Sequence, residues 1–297
     1  MSIVTEPNAA PPTDLEVEDE YRLHRRFDRI GRLVGDDMMG RLLKSRVMVI
    51  GLGGVGSMAA ESLSRSGIGT LQLVDFDKVC VTNSNRQLQA MQGTIGKFKA
   101  DVLAERLQRI NPQAVVDPIK LFYNERTSER LLAERPDYVV DAIDNITAKC
   151  HLLNRCRELG IPVICSTGAS GRMDVTKIQI ADLAHTRVDP LAQSVRKILR
   201  QKYAFPAKGD FGIPAVFSTE TPAVPHDLHY DNGQGFRCVC PGGKNEFHSC
   251  EERSVIYGTA SFVTGSFGFF CASLVVRSIT GDPGSAEPRP PAASIQG

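Results

Sequence analysis

A glycine-rich loop between an apolar segment and a helical one places the strongest constraint on how this chain folds. Residues 51–57 read GLGGVGS and fit the G-x-G-x-x-G pattern. The apolar, β-branched residues 46–50 before the loop favour a strand, and residues 55–66 after it have helical spacing. Glycines allow a tight turn here, so that backbone N–H groups at the helix N-terminus can approach a phosphate. The glycines expected to contact a nucleotide are Gly51, Gly53, Gly54 and Gly56.

Strands and helices alternate along most of the chain. Apolar runs predict further strands at residues 70–74, 114–118, 138–143, 162–166 and 177–181. Amphipathic spacing predicts further helices at residues 97–110 and 148–159. This alternation is typical of an α/β fold with a doubly wound, mainly parallel, Rossmann-like sheet.

The two ends of the chain differ in composition from its centre. The chain has 297 residues, enough for one large domain, which we expect over residues 21–280. Residues 1–20 are rich in proline, alanine and acidic residues, and residues 281–297 in proline, alanine and serine, so we expect both to be disordered. Residues 187–250 interrupt the alternation and predict an irregular insert that is basic and contains cysteines.

The chain is almost electrically neutral, with 35 lysines and arginines against 34 aspartates and glutamates. A nucleic-acid partner therefore requires a local concentration of basic residues, and we expect no DNA partner. Residues 187–210 supply such a concentration, with six basic residues against two acidic ones. This segment is either a surface that contacts nucleic-acid phosphates or an ordinary solvated helix.

The sequence also bears on cellular location. The polar, acidic N-terminus lacks the features of a signal peptide, so we expect a cytoplasmic protein whose eight cysteines are thiols. Residues 255–276 carry no charged side chain and are long enough to span a bilayer. However, their serines, threonines and three glycines favour a buried core helix over a membrane contact.

Polar and charged residues follow the predicted strands, at the points where these strands end. Asp75 follows the second strand and is placed to accept hydrogen bonds from ribose hydroxyls. Asn85 and Arg86 lie in the next loop, Lys99 lies near the start of the next helix, and Asp144 follows a later strand. The carboxyl ends of parallel strands meet at one sheet edge, where ligands bind in such folds. Arg86 and Lys99 suit phosphate oxygens, and the Asp144 carboxylate suits Mg²⁺.

Each of these residues also has a simpler interpretation. Arg86 is explained as a solvated loop residue, Lys99 as an exposed helix charge, and Asp144 as the cap of the following helix. The glycine loop alone does not distinguish ATP from NAD, FAD or S-adenosylmethionine. Activation of a carboxylate by ATP is favoured because it needs several groups along a triphosphate. An NAD-dependent oxidoreductase leaves Arg86, Lys99 and Asp144 without a common explanation.

The motifs at this edge resemble those of a known group of enzymes. GLGGVGS, VDFDKVCVTNSNRQ, IGKFKA and DAIDN are similar to the core of the ubiquitin-activating-enzyme-like (ThiF–MoeB–HesA) superfamily. The resemblance extends over residues 25–280. Residues 182–192, 216–220 and 258–269 lie outside the shared nucleotide site and resemble the tRNA threonylcarbamoyladenosine dehydratases within the superfamily.

The resemblance implies ATP and Mg²⁺ as cofactors. It places the adenosine on the glycine loop and Asp75, and the phosphates beside Asn85, Arg86 and Lys99. Asp144 is the implied ligand of the metal. For the basic segment at 187–210, the resemblance favours contact with tRNA.

The resemblance also implies a homodimer. In the superfamily an arginine near the N-terminus reaches into the partner subunit's site. The matching positions here are Arg29 and, as a second choice, Arg26. The residues with an implied catalytic role are Arg29, Arg86, Lys99 and Asp144.

The implied reaction is the ATP-dependent cyclisation of N6-threonylcarbamoyladenosine in tRNA. The threonyl carboxylate is first converted into an acyl-adenylate, and the neighbouring carbamoyl oxygen then closes a ring and expels AMP. The alternative is an adenylyltransferase that activates the C-terminus of a ubiquitin-like sulfur-carrier protein. Those enzymes carry two Cys-x-x-Cys pairs for zinc, and the absence of such pairs from this sequence argues against the alternative.

Three cysteines and a histidine lie close together at the end of the irregular segment. They are Cys238, Cys240, His248 and Cys250. Such side chains can bind zinc, can relay sulfur from a delivery protein through Cys250, or can be plain loop thiols. We favour the last two interpretations and assign no zinc ligand.

Overall fold

Seven strands form one sheet in the computed structural model, which describes residues 25–226, 228 and 257–281. The strands are β1 (Arg46–Ile50), β2 (Thr70–Val74), β3 (Val115–Ile119), β4 (Tyr138–Asp141), β5 (Val163–Ser166), β6 (Ile178–Asp182) and β7 (Pro214–Ser218). Their spatial order is β3-β2-β1-β4-β5-β7-β6. All neighbours are parallel except β6 and β7, which are antiparallel at one edge. The predicted α/β fold with a mainly parallel sheet is confirmed.

Helices connect and flank these strands. They are α1 (Asp28–Val34), α2 (Asp36–Lys44), α3 (Gly56–Arg65), α4 (Lys99–Ile110), α5 (Glu125–Leu132), α6 (Ile146–Leu159), α7 (Pro190–Lys202) and α8 (Ser261–Thr280). Parallel neighbours need a crossover connection, and the helices α3 to α6 supply these connections in turn between the first five strands along the chain.

The helices cover both faces of the sheet. Successive side chains of a strand point to opposite faces, so Val47 and Val49 join one core while Met48 and Ile50 join the other. Residues of α2, α3, α4 and α8 complete the first core, and residues of α5, α6 and α7 complete the second. Strands buried on both faces are apolar at nearly every position, which explains why β1 was predictable.

The prediction that residues 187–250 are irregular is wrong for the part that the structure describes. This part contains α7 and β7. Asp189 caps α7 by accepting a hydrogen bond from the Ala192 amide at 2.7 Å, and Pro190 occupies the first turn of the helix. β7 is short and is buried between β5 and β6. Its strand conformation depends on neighbouring strands that are distant in sequence. The prolines and glycines around it in the sequence favour a loop, and for this reason the strand was not predicted.

The uncharged segment predicted as a buried helix at residues 255–276 contains most of α8, which begins only at Ser261 and continues to Thr280. By length and composition alone α8 could cross a membrane, but half of its most apolar 18-residue window is buried inside the protein. Gly268 lies against α3, where a Cβ would be 2.5 Å from the Val55 carbonyl oxygen and 2.9 Å from the Ala59 nitrogen. Close packing on α3 confirms that this segment is a core helix.

Several predictions fall outside the described residues and stay predictions. They concern disorder at residues 1–20 and 282–297, and the interpretations of Cys238, Cys240, His248 and Cys250.

Candidate active site

The glycine loop lies at the carboxyl end of β1, between β2 and β4, where the strand order changes direction. Open α/β sheets bind ligands at this position. Gly51 has a φ of 89°, and a Cβ on it would lie 2.6 Å from the Ala142 carbonyl oxygen. A Cβ on Gly56, the first residue of α3, would lie 1.8 Å from the Gly51 carbonyl oxygen. Both positions therefore require glycine, and the N-terminus of α3 stays against the loop.

Asp75 follows β2 and holds the glycine loop in place. Its buried carboxylate accepts hydrogen bonds from the Leu52 amide at 2.7 Å and from the Asp77 amide at 2.8 Å. Burial raises the pKa of this carboxyl, although the charge on Lys99 opposes the shift. Asp75 thus shapes the loop, and its predicted bond to ribose stays a prediction.

Lys99 is the buried cation of the site. Its side chain is only 8% exposed, and its Nζ lies 2.8 Å from Asp77 Oδ2. Burial alone would lower the pKa of Lys99, but the nearby carboxylates, chiefly those of Asp75 and Asp77, outweigh burial and raise it. The simpler interpretation of Lys99 as an exposed helix charge is therefore wrong.

Asn85 and Arg86 lie in the loop after β2, which packs against the glycine loop. A Cβ on Gly54 would lie 3.2 Å from the Arg86 carbonyl oxygen. The Asn85 amide donates to the Thr259 carbonyl oxygen at 2.8 Å, just before α8. The Arg86 guanidinium donates to the Thr82 carbonyl oxygen at 3.0 Å and to Asn85 Oδ1 at 2.9 Å. These bonds hold Arg86 at the edge of the site.

Asp144 lies on the same edge, shortly after β4, and is exposed. The cap of α6 is the neighbouring Asn145, whose side chain accepts from the Ala148 amide at 3.0 Å. Capping therefore does not explain Asp144, which instead contributes to the field that stabilises the charge on Lys99. In the described ranges, no three acidic, histidine or cysteine side chains form a group able to hold a metal ion by themselves.

Arg26 and Arg29, the two candidates for entering a partner subunit's site, lie at the end of the sheet opposite the glycine loop. Phe27, between them, packs beside Gly67, which follows the C-terminus of α3. The Arg26 guanidinium donates to the Ile110 carbonyl oxygen at 2.8 Å, whereas the Arg29 side chain is 97% exposed. The fold therefore does not bring Arg29 to the glycine loop of its own chain.

Three residues of the site were not predicted. Asp77 pairs with Lys99, Gln89 donates to the Leu52 carbonyl oxygen at 2.6 Å, and Thr264 lies against Gly54. The spacing D-x-D was the signal for Asp77, because side chains two apart in extended backbone point the same way. Gln89 and Thr264 carry no such signal, because only the tertiary fold brings them to the loop.

Comparison with known proteins agrees with this site. The sequence profile of the ThiF family matches residues 27–295. The tRNA threonylcarbamoyladenosine dehydratase of Haemophilus influenzae is 43% identical over 263 residues, which cover 88% of this chain and 95% of that protein. The crystal structure of the Escherichia coli tRNA N6-threonylcarbamoyladenosine dehydratase TcdA in complex with ATP is 34% identical, with a TM-score of 0.75, and the match covers 88% of this chain and 96% of that one. The molybdopterin-synthase adenylyltransferase of Escherichia coli is 34% identical over 161 residues, which cover 54% of this chain and 63% of that protein. A glycine loop, a buried lysine and an edge carboxylate on this fold, together with these matches, lead to one conclusion: the chain belongs to the ThiF family.

Proposed function

We propose that this chain uses ATP to cyclise N6-threonylcarbamoyladenosine in tRNA through an acyl-adenylate. The observation that carries the proposal is the gathering of Arg86, Lys99 and Asp144 around the glycine loop. An adenylation site needs cations because pyrophosphate leaves with negative charge while the α-phosphorus is attacked. The substrate is inferred from the dehydratase relatives, which match this chain over nearly its whole described length.

The first step joins the substrate carboxylate to the α-phosphorus. A carboxylate oxygen forms the new P–O bond, and the bond to pyrophosphate breaks. The backbone of the glycine loop and the N-terminus of α3 bind phosphate oxygens. A Cβ on Gly53 would meet nothing nearer than 3.9 Å, so the loop is open on that side. Arg86 supplies a forked donor, and Lys99 exchanges Asp77 for a phosphate oxygen.

The second step is intramolecular. The carbamoyl oxygen attacks the acyl carbon, AMP leaves with the former carboxylate oxygen, and the carbamoyl nitrogen loses its proton. AMP is a far better leaving group than a bare carboxylate oxygen, and the two reacting groups belong to one molecule, so proximity favours ring closure. The step requires no protein nucleophile.

Asp144 is the residue that we propose to bind Mg²⁺ together with the nucleotide. Mg²⁺ uses one or two carboxylates together with substrate phosphates rather than a complete protein cage. The exposed carboxylate of Asp144 at the sheet edge suits this mode of Mg²⁺ binding. Bound there, Mg²⁺ would neutralise charge on the phosphates.

A homodimer is proposed to complete the site. Arg26 is held within its own chain by the Ile110 carbonyl oxygen, whereas Arg29 is 97% exposed. An exposed arginine far from its own glycine loop fits a role in the active site of a second copy. Arg29 is therefore preferred to Arg26 as the arginine that enters the active site of the partner subunit.

The tRNA backbone is proposed to lie along α7. The N-terminus of α7 lies at the same sheet edge as the glycine loop. Its cap, Asp189, accepts a hydrogen bond from the amide of Gly168 at 3.0 Å, just after β5. From there the helix extends by about 20 Å, given its rise per residue. Lys197, Lys202 and Lys208 are exposed along and after it, and exposed lysines suit phosphates.

We further propose a cytoplasmic location, which suits the five described cysteines, all of them free thiols. A sulfur-delivery protein that docks at Cys250 stays part of the proposal, and Cys250 lies outside the described residues.

Incubation with ATP, Mg²⁺ and threonylcarbamoylated tRNA tests the proposed function. We expect AMP to form and the modified nucleoside to lose the mass of one water. Arg86→Ala and Asp144→Ala should abolish ATP–pyrophosphate exchange while leaving the circular dichroism spectrum unchanged. Unchanged tRNA together with adenylation of a sulfur-carrier protein would instead support the adenylyltransferase alternative.

A further inference from the structure

A buried lysine that plays no part in the proposed chemistry lies at the carboxyl ends of the strands, beside the candidate active site. Lys149 of α6 is among the largest fully buried side chains of the described residues. Its Nζ donates to Asp141 Oδ2 at 2.6 Å and to the Ser166 carbonyl oxygen at 2.9 Å, with Cys165 Sγ at 3.8 Å. The three N–H donors of the ammonium thus have three partners. Because Asp141 and Ser166 end β4 and β5, Lys149 joins the carboxyl ends of two adjacent strands.

Stability alone does not account for this pair. The side chains of Asp141 and Lys149 have no exposed surface, so both charges have lost their hydration. An apolar pair of similar volume is often at least as stable as a buried ion pair. Burial opposes the charge on Lys149, but the Asp141 carboxylate outweighs burial and raises the pKa of the ammonium. Burial also raises the pKa of the Asp141 carboxyl, which disfavours its charged form. The pair is therefore costly to bury, and what it adds is a fixed link between strand ends.

Asp141 extends this link to the active site. Its second oxygen, Oδ1, accepts from the Ile143 amide at 3.1 Å. Ala142, between them, places its carbonyl oxygen against Gly51 of the glycine loop. Asp144 is the next residue along the chain. The turn at residues 142–144 is thus held by the buried pair on one side and contacts the nucleotide loop on the other.

We propose that Lys149 is a positioning residue: through Asp141 it fixes the turn at 142–144 and so aligns Asp144 and the glycine loop for the reaction with ATP. The proposal rests on the proposed function, in which Asp144 acts at the phosphates. A misplacement of about 1 Å can lower a rate about 100-fold. The turnover number should therefore suffer more than ATP affinity, because Asp144 belongs to the turn, whereas Asp75, the proposed ribose contact, is held by the Leu52 and Asp77 amides.

The double variant D141N/K149M is the main test, because it removes both charges and leaves neither one buried without a partner. We expect kcat for tRNA cyclisation to fall about 10- to 100-fold while the Kd for ATP, measured by calorimetry, changes by less than about threefold. Glu61→Gln is the matched control. Glu61 is 7% exposed and pairs with Arg65 and Arg106 between α3 and α4, away from the turn. This control should lower stability and leave kcat unchanged.

A folded double variant with wild-type kcat would overturn the positioning role. If the double variant does not fold, Asp141→Asn alone replaces it, with an expected loss of about tenfold in kcat, and unchanged turnover there overturns the proposal equally. If the wild-type chain binds ATP but modifies no tRNA, the proposed function fails on its own. The positioning role is then measured by hydrogen–deuterium exchange, where amides 142–144 should exchange faster in the variant, and unchanged exchange would refute it.

Discussion

Replacing Lys99 with methionine removes the buried cation of the site and keeps a side chain of similar length. The Lys99 Nζ lies 2.8 Å from Asp77 Oδ2, and the two side chains are 8% and 31% exposed. Removing one partner of a fully buried pair costs about 3–5 kcal/mol, and the exposure of Asp77 reduces the expected loss of stability to about 2 kcal/mol. Catalysis should lose more, because removing one preorganised donor to a developing charge lowers kcat by about 100- to 1000-fold.

The assay compares AMP formation on threonylcarbamoylated tRNA with unfolding in urea. Asp77→Asn is the matched control, because it removes the partner of Lys99 and keeps the cation. Both variants should lose similar stability, but Asp77→Asn should keep kcat within about fivefold of wild type. Equal losses of kcat in the two variants, or a Lys99→Met enzyme with near-wild-type kcat, would refute the assignment of Lys99 to the phosphates.

Three further predictions address stability, the dimer and the RNA surface. Burial opposes ionisation of Glu61, but its two arginine partners outweigh burial and lower its pKa below the ordinary 4.5. Its stabilising contribution is therefore fully present above pH 4.5 and is lost as the pH falls through the folded pKa. Glu61→Gln should accordingly cost about 1 kcal/mol at pH 7 and nothing in strong acid, as measured by urea unfolding across pH. Arg29→Ala and Lys99→Met chains should each be inactive alone, yet their mixture should recover about a quarter of wild-type activity, because one site of each mixed dimer is intact; no recovery would contradict a shared site. Lys197→Ala and Lys202→Ala should each reduce the slope of log Kd for tRNA against log salt concentration by about one, without changing the Kd for ATP. An unchanged slope would show that α7 is not part of the RNA-binding surface.

The parts of the fold that the sequence predicted are those with a local physical signal. Strand β1 is buried on both faces and therefore apolar throughout, and the turn after it is restricted to glycine at Gly51 and Gly56. Helix α6 ends at the predicted residue, Leu159, and is followed by Gly160, whose φ of 66° favours glycine. In contrast, α5 has only eight residues, too few for a periodic pattern to be distinguished from the surrounding loops. β7 lies among prolines and glycines, so no local signal separated it from a loop.

The residues of the candidate active site also fall into two groups, those with a local sequence signal and those placed only by the tertiary fold. The sequence by itself determined that a glycine loop precedes a helix, and that Arg86, Lys99 and Asp144 follow strands whose ends meet at one edge. Only the tertiary structure decided that Lys99 is buried against Asp77, that Asn145 rather than Asp144 caps α6, and that Lys149 joins the ends of β4 and β5. The physical reason is distance along the chain. Turn geometry and capping depend on neighbouring residues, whereas the burial and pairing of a charge depend on which distant strand ends the fold brings beside it.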